Sequence, residues 1–275
     1  MPVQNGCDHA CTFCIIPQGR GPSRSRAIDP VVCEIVELAA AGVAEVVLTG
    51  VDVTSYDAPD LGTLVAAILN RVPALQRLRL SSLDGVEIDP LLFDLLTGEL
   101  RVMPHVHLSL QSGDDLILKR MKRRHSRGEA IRLVDRLKAA RPDIAIGADI
   151  IAGFPTESAA AHANNLSLIE ECAIVHGHIF PYSPRPGTPA ARMPQVDPVL
   201  VRERAAELRA AVAARREGWL DAKTGATEAV LAEQDGTGHS PDFARYRLPA
   251  DVVPGTVARL RATGVGDGLL LGEPA

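Results

Sequence analysis

Apolar and polar positions along this chain change period in a regular way. Short apolar runs alternate with longer segments in which apolar residues recur every three or four positions. The short runs are Val3–Gln4, Glu45–Thr49, Arg77–Ser81, His105–Leu110, Ile144–Ile151 and His176–Phe180, and each predicts a strand. After the first, successive strands begin roughly 30–40 residues apart, the size of one βαβ step. The segments between them have readable helix ends. Asp29-Pro30 predicts an N-cap before a first-turn proline, with Gly42 closing the helix, and Asp89-Pro90 with Gly98 repeats the device. Ser126-Arg127-Gly128-Glu129 predicts a capping box. Six β/α units predict a parallel sheet, either an open partial barrel or a doubly wound sheet.

The texture then changes twice. Asp197-Pro198 opens a long helix to about Trp219, whose apolar stripe (Leu200, Val201, Ala205, Leu208, Val212) is expected to dock on the sheet. After Thr224-Gly225 come short alternating strands at Glu228–Ala232, Ala244–Leu248, Thr256–Ala262 and Leu269–Leu271, which predict a small all-β barrel. The expected division is residues 1–222 and 223–275.

In parallel β/α architectures chemistry sits at the carboxyl ends of strands, and the unusual residues of this chain fall there. The first strand leads into Cys7-Asp8-His9-Ala10-Cys11-Thr12-Phe13-Cys14. Three thiolates in one short loop can hold three corners of an iron–sulfur cube and leave the fourth iron open to a substrate. Two other readings compete. Zinc needs a fourth ligand, for which His9 is near, but the spacing fits zinc ribbons and fingers poorly. A redox pair of Cys11 and Cys14 leaves Cys7 unexplained. Cys33 and Cys172 lie in predicted helices and read as small buried apolar residues.

Composition narrows the setting. Five cysteines in 275 residues, three of them clustered, suit metal ligands in a reducing compartment, hence a cytoplasmic protein. No apolar run approaches a membrane span. A net charge of −5 gives no global signal for nucleic acid, so RNA contact must rest on local basic patches.

Five stretches together carry a resemblance: Gln4–Arg26, Glu45–Val53, His105–Arg124, Gly147–Glu157 and His178–Met193. Over them the chain resembles the radical S-adenosylmethionine methylthiotransferases, and the wording is most similar to the threonylcarbamoyladenosine tRNA branch. The resemblance implies a partial (β/α)6 TIM-like radical SAM barrel followed by a TRAM-like RNA-binding β-barrel. It implies that Cys7, Cys11 and Cys14 ligate a [4Fe–4S] cluster. S-adenosylmethionine would chelate the open iron and be cleaved by one electron to a 5′-deoxyadenosyl radical, with a low-potential donor such as flavodoxin supplying the electron. The implied reaction puts a methylthio group on C2 of N6-threonylcarbamoyladenosine at tRNA position 37, by a monomeric enzyme. Such enzymes also carry an N-terminal domain with three further cysteines for a sulfur-donating cluster. This chain begins six residues before Cys7, so the expectation is an intact radical half with incomplete sulfur insertion. The alternatives are a ribosomal-protein methylthiotransferase-like enzyme and a nonenzymatic RNA-binding remnant.

The remaining candidates have a sharp and a bland reading each. Gly50 and Gly153 end strands, either to admit a cofactor or to make turns. Asp149 lies within a strand and needs a partner there, in an active site or a buried hydrogen bond. Gln111 and Ser112 suit ribose or substrate contact. Glu157 is expected to cap the next helix, and His105 and His107 to be structural groups. Lys119, Arg120, Lys122, Arg123 and Arg124 form a solvated face or, with Arg20, Arg24 and Arg26, a phosphate track. Arg245, Arg247, Arg259 and Arg261 alternate in the tail. Tyr246 and Phe243 there either stack on bases or pack inside.

Overall fold

The computed structural model describes all 275 residues. The first part contains β1 (Gln4–Asn5), α1 (Ile16–Arg20), β2 (Arg24–Ser25), α2 (Ile28–Ala40), β3 (Glu45–Leu48) and α3 (Leu61–Arg71). It continues with β4 (Arg77–Leu80), α4 (Pro90–Gly98), β5 (His105–Gln111), α5 (Asp115–Met121) and α6 (Arg127–Ala140). β6 (Ala145–Ala152), α7 (Ala159–Glu171), β7 (Ile174–Pro181) and α8 (Pro198–Asp221) complete it.

The strands follow one another in space as they do in sequence. The amide of Val3 donates to Thr49 O and that of Thr49 to Met1 O, laying the N-terminal strand beside β3. β3 pairs in parallel with β4, and β5, β6 and β7 pair in parallel. The β4–β5 junction is irregular, held by Leu83 N on His107 O and Ser109 N on Leu83 O. A doubly wound sheet would reverse its order from the first strand; sequential order with side chains of β3, β4, β5 and β7 lining one cavity makes an open, curved barrel instead. Its core is aliphatic, with Leu48, Leu78, Leu108, Ile146 and Ile174 between the sheet and the helices.

Three caps act as their sequences imply. Asp89 accepts from Leu92 N, Asp197 accepts from Val199 N, and Ser126 and Glu129 form a reciprocal capping box. The start of α2 differs. Its N-cap is Ala27, and Asp29 sits inside the first turn, where its carboxylate pairs with Arg71 at 2.6 Å. Cys172 is fully buried beyond the end of α7, whereas Cys33 is exposed on α2, contrary to the reading of both as buried.

α8 runs back down the β7 edge. Val201, Ala205, Leu208 and Val212 of its stripe are buried, while Leu200 stays 37% exposed. Five strands then close into a barrel: β8 (Thr227–Ala232), β9 (Thr237–His239), β10 (Arg245–Arg247), β11 (Val257–Gly266) and β12 (Leu269–Pro274). β9 is one strand more than the pattern predicts. Tyr246 is buried in this barrel's core with Val230, Leu260 and Leu270. The 239–243 loop reaches under the larger sheet. There Phe243 stacks between His105 and His239, at 4.9 and 4.4 Å between ring centroids, with the Arg79 guanidinium 4.7 Å away. Arg79 Nη1 donates to Pro241 O at 3.1 Å, and Arg77 and Arg79 both pair with the nearly buried Glu45. The small barrel thus forms the floor of the open barrel. Neither aromatic of the tail is left free to stack on a base.

Candidate active site

The cysteine loop leaves β1 through Gly6, whose backbone lies at φ +80° and whose missing Cβ would sit 2.0 Å from Pro22 O. Only glycine fits there without moving the chain. Buried Gln4 organises the same corner: its Nε2 donates to Gly6 O and Ser23 Oγ, and its Oε1 accepts from Asp52 N. Thr12 anchors the loop's middle, its amide donating to Met121 O and its hydroxyl to Arg120 O, while its carbonyl accepts from Ala190 N. Phe13 is wedged edge-on against Phe154.

Cys7, Cys11 and Cys14 are all half-buried free thiols on this loop. Burial pushes Cys7 up to about 11 despite the His9 amide donating to it, and burial also raises Cys14. The Cys14 amide donates to Cys11 O at 3.2 Å, turning the loop back on itself, and the Cys7 thiol lies 3.6 Å from Asp52. Arg123 supplies the compensating cation. Its Nη1 lies 3.6 Å from Cys11 Sγ, its Nη2 binds Asp84 and Ser109 O at 2.9 Å, and its Nε is buried with no acceptor. Burial works against the Asp84 carboxylate, but Arg123 and Arg124 together hold it below the usual carboxylate range. Soft thiolate donors, an adjacent guanidinium and an orphaned N–H fit an anionic iron–sulfur group with a carboxylate-bearing ligand beside it. His9 Nε2 is 2.7 Å from Asp52, and Cys7, His9 and Asp52 converge closely enough for a single ion. That set leaves Cys11 and Cys14 without a role, and Arg124 lies 3.0 Å from the same His9 nitrogen.

The other candidates distribute unevenly around this rim. Gln111 ends β5 at φ +67°, half-buried, with its side-chain amide uncommitted. Asp149 faces the barrel interior, where Oδ1 meets His107 Nε2 at 3.0 Å and His178 Nδ1 at 3.2 Å. His105 and His107 face the same interior rather than the outer face. Ser112 is committed elsewhere: it is buried and donates to Asn165, which donates to Glu157. Glu157 is not the helix cap; Ser158 is. The Glu157 side chain is fully buried and accepts from Gly153 N, Asn165 and Arg204. A Cβ on Gly153 would lie 2.6 Å from Val201, and one on Gly50 2.8 Å from Gln4, so both glycines make room for the chain itself.

The basic candidates split the same way. Arg124 pairs with Asp84 and Glu87, and Arg26 with Glu34, while Arg24 binds Arg20 O and Pro22 O. Arg20 and Lys122 are exposed with no acid in reach. In the tail, Arg245 and Arg247 pair with Asp235 and Asp267, leaving Arg259 and Arg261 exposed. Gln4, Thr12 and Asn165 are functional supports that the pattern does not single out; a polar residue inside a short strand or beside a cysteine is the signal for the first two, and Asn165, within α7, carries none.

A family model described as the radical SAM superfamily matches residues 1–167. The chain belongs to the radical SAM superfamily. The cofactors of that superfamily are a [4Fe–4S] cluster and S-adenosylmethionine, and the donor set just described fits them. Among curated relatives, the chain is 44% identical over 98% of its length to threonylcarbamoyladenosine tRNA methylthiotransferase MtaB of Rickettsia prowazekii. It is 34% identical over its whole length to tRNA-2-methylthio-N(6)-dimethylallyladenosine synthase of Ruegeria pomeroyi. It spans 65% of the length of each. The radical S-adenosylmethionine methyltransferase TsrM of Kitasatospora setae superposes with a TM-score of 0.57 at 21% identity, over 70% of this chain and 38% of that one. Coproporphyrinogen III oxidase HemN of Escherichia coli gives 0.55 at 14% identity, over 78% and 51%. At such identities the likeness speaks for the fold, a radical SAM partial barrel. No helix is long and apolar enough to cross a membrane.

Proposed function

We propose that this chain carries the radical half of a tRNA methylthiotransferase acting on N6-threonylcarbamoyladenosine at position 37. The observation that carries the reading is the set of three half-buried cysteines, braced by Arg123, at the mouth of a radical SAM barrel. The 44% identity to a threonylcarbamoyladenosine-specific relative favours that substrate.

When bound, the cluster with S-adenosylmethionine supplies a radical able to take hydrogen from an adenine C2–H, a bond that acid–base groups cannot activate. The chain's own residues would do the following. Cys7, Cys11 and Cys14 hold three irons as thiolates. Arg123 offsets their negative charge and offers its free Nε to the cofactor's carboxylate. Gln111 and Asp149 meet the cofactor's ribose, with His107 and His178 fixing the Asp149 carboxylate. Ser112, Asn165, Glu157 and Arg204 hold the loops that carry those groups. The exposed Arg20, Lys122, Arg259 and Arg261 contact tRNA phosphates, and the small barrel acts as a TRAM-like RNA-binding unit. A flavodoxin-like donor supplies the electron.

The test compares modified nucleosides in tRNA from cells with and without the gene. Loss of the 2-methylthio form of N6-threonylcarbamoyladenosine supports the reading, and an unchanged nucleoside profile refutes it. Cleavage of S-adenosylmethionine by the purified chain without methylthio transfer identifies the radical half acting alone.

A further inference from the structure

Between the cysteine rim and the Phe243 floor lies a cavity of about 450 Å³. Its wall is basic, and the acids near it are already matched. Glu45 pairs with Arg77 and Arg79, and Asp149 with His107 and His178. Arg216, on α8, is different. It is half-buried against the cavity and has no carboxylate within ion-pairing distance. His105 lines the same cavity, 6% exposed, and neither of its ring nitrogens has a hydrogen-bond partner. His176 Nε2 is likewise buried and unpartnered.

Buried donors without acceptors are rare in folded proteins because their desolvation goes uncompensated. The unpartnered imidazole of His105, beside an unpaired guanidinium on the same cavity, points to an acceptor that arrives with a ligand. Burial keeps both imidazoles neutral. His105 can therefore donate one N–H while adding no charge, the single N–H of His176 goes to the Asp242 carbonyl and leaves its Nε2 an acceptor, and Arg216 supplies the cation. That complement suits a single oxyanion better than a hydrocarbon. The two curated relatives act, by name, on adenosines carrying a threonylcarbamoyl or a dimethylallyl group. The first ends in a carboxylate; the second would leave every donor here unpaired.

We infer that Arg216 and His105 form an oxyanion subsite that receives the carboxylate of the substrate's amino-acid appendage. The inference rests on the threonylcarbamoyladenosine reading above, and its test separates the two. Free N6-threonylcarbamoyladenosine, its neutral methyl ester and inorganic phosphate are titrated into the full chain while the imidazole ¹⁵N resonances of His105 and His176 are followed. The acid is expected to shift the His105 resonances more than those of His176 and to bind about tenfold more tightly than the ester, the scale of one charge-assisted contact. Arg216→Ala should erase that ratio and Arg216→Lys should keep most of it. Equal binding of acid and ester, no shift with either, or an undiminished ratio in Arg216→Ala would overturn the subsite. Phosphate shifting the resonances as strongly as the acid would reassign the pocket to an RNA phosphate and overturn it too. Binding of a threonylcarbamoylated anticodon hairpin is measured separately. If the hairpin fails to bind while the acid-over-ester ratio holds, the tRNA reading fails and the subsite stands.

Discussion

A carboxylate with no exposed surface persists in a fold only when donors surround it. Glu157 has three, and Arg204 is the charged one, 2.9 Å away. Arg204→Ala is expected to lower stability by about 3–5 kcal/mol in urea titration, because it strands a buried charge. Adding Glu157→Gln should recover part of that loss; a single-variant cost near zero would contradict the pairing. Histidines give a pH signature. Burial lowers His176 from 6.5 to about 3, with Arg216 nearby adding to the effect. The unfolded chain then binds the proton more readily, so stability is complete above pH 6.5 and is lost progressively towards pH 3. His176→Gln should flatten that acid limb in urea midpoints measured against pH. At this scale the sequence made the cysteines legible, since their spacing is local. It could not give the partners of Asp149, which come from strands 42 and 29 residues away, nor the burial of Glu157, which depends on a helix 47 residues on.

The cysteine loop is the element on which chemistry depends, and its shape is set by one backbone position. Gly6→Ala would force a Cβ into Pro22 O at an unfavourable φ. Iron incorporation during anaerobic reconstitution is expected to fall several-fold while far-ultraviolet circular dichroism changes little; full incorporation would mean the loop tolerates another path. Helix ends were legible where a side chain itself makes the cap, as at Asp89, Ser126 and Asp197. α2 was misread because its N-cap makes no side-chain bond at all. β9 was missed because three residues are too few to show a period.

For the whole molecule, the order of the β/α units and the presence of a small barrel were legible, because both follow from alternation along the chain. The docking of one on the other was not. It brings Arg77 and Arg79 against residues some 160 positions away, a contact no local pattern encodes. If the small barrel is the floor of the larger one, the two should unfold as one unit. Phe243→Ala removes the aromatic side chain of that junction, leaving the Arg77 and Arg79 bonds, and is expected to cost about 3 kcal/mol, the low end for large aromatic truncations. Calorimetry should show a single transition in the natural chain, and a lowered or divided one in the variant. Two separate transitions in the natural chain would mean that the contact contributes little.

The measurement that reaches the centre of this account is electron paramagnetic resonance of the anaerobically reconstituted, reduced chain, with and without S-adenosylmethionine. A chain holding about four irons on three cysteines should give a reduced-cluster signal whose g-values move when the cofactor is added, and that signal should vanish in Cys7→Ala, Cys11→Ala and Cys14→Ala. A signal indifferent to S-adenosylmethionine, or one that survives loss of any of these cysteines, would contradict it.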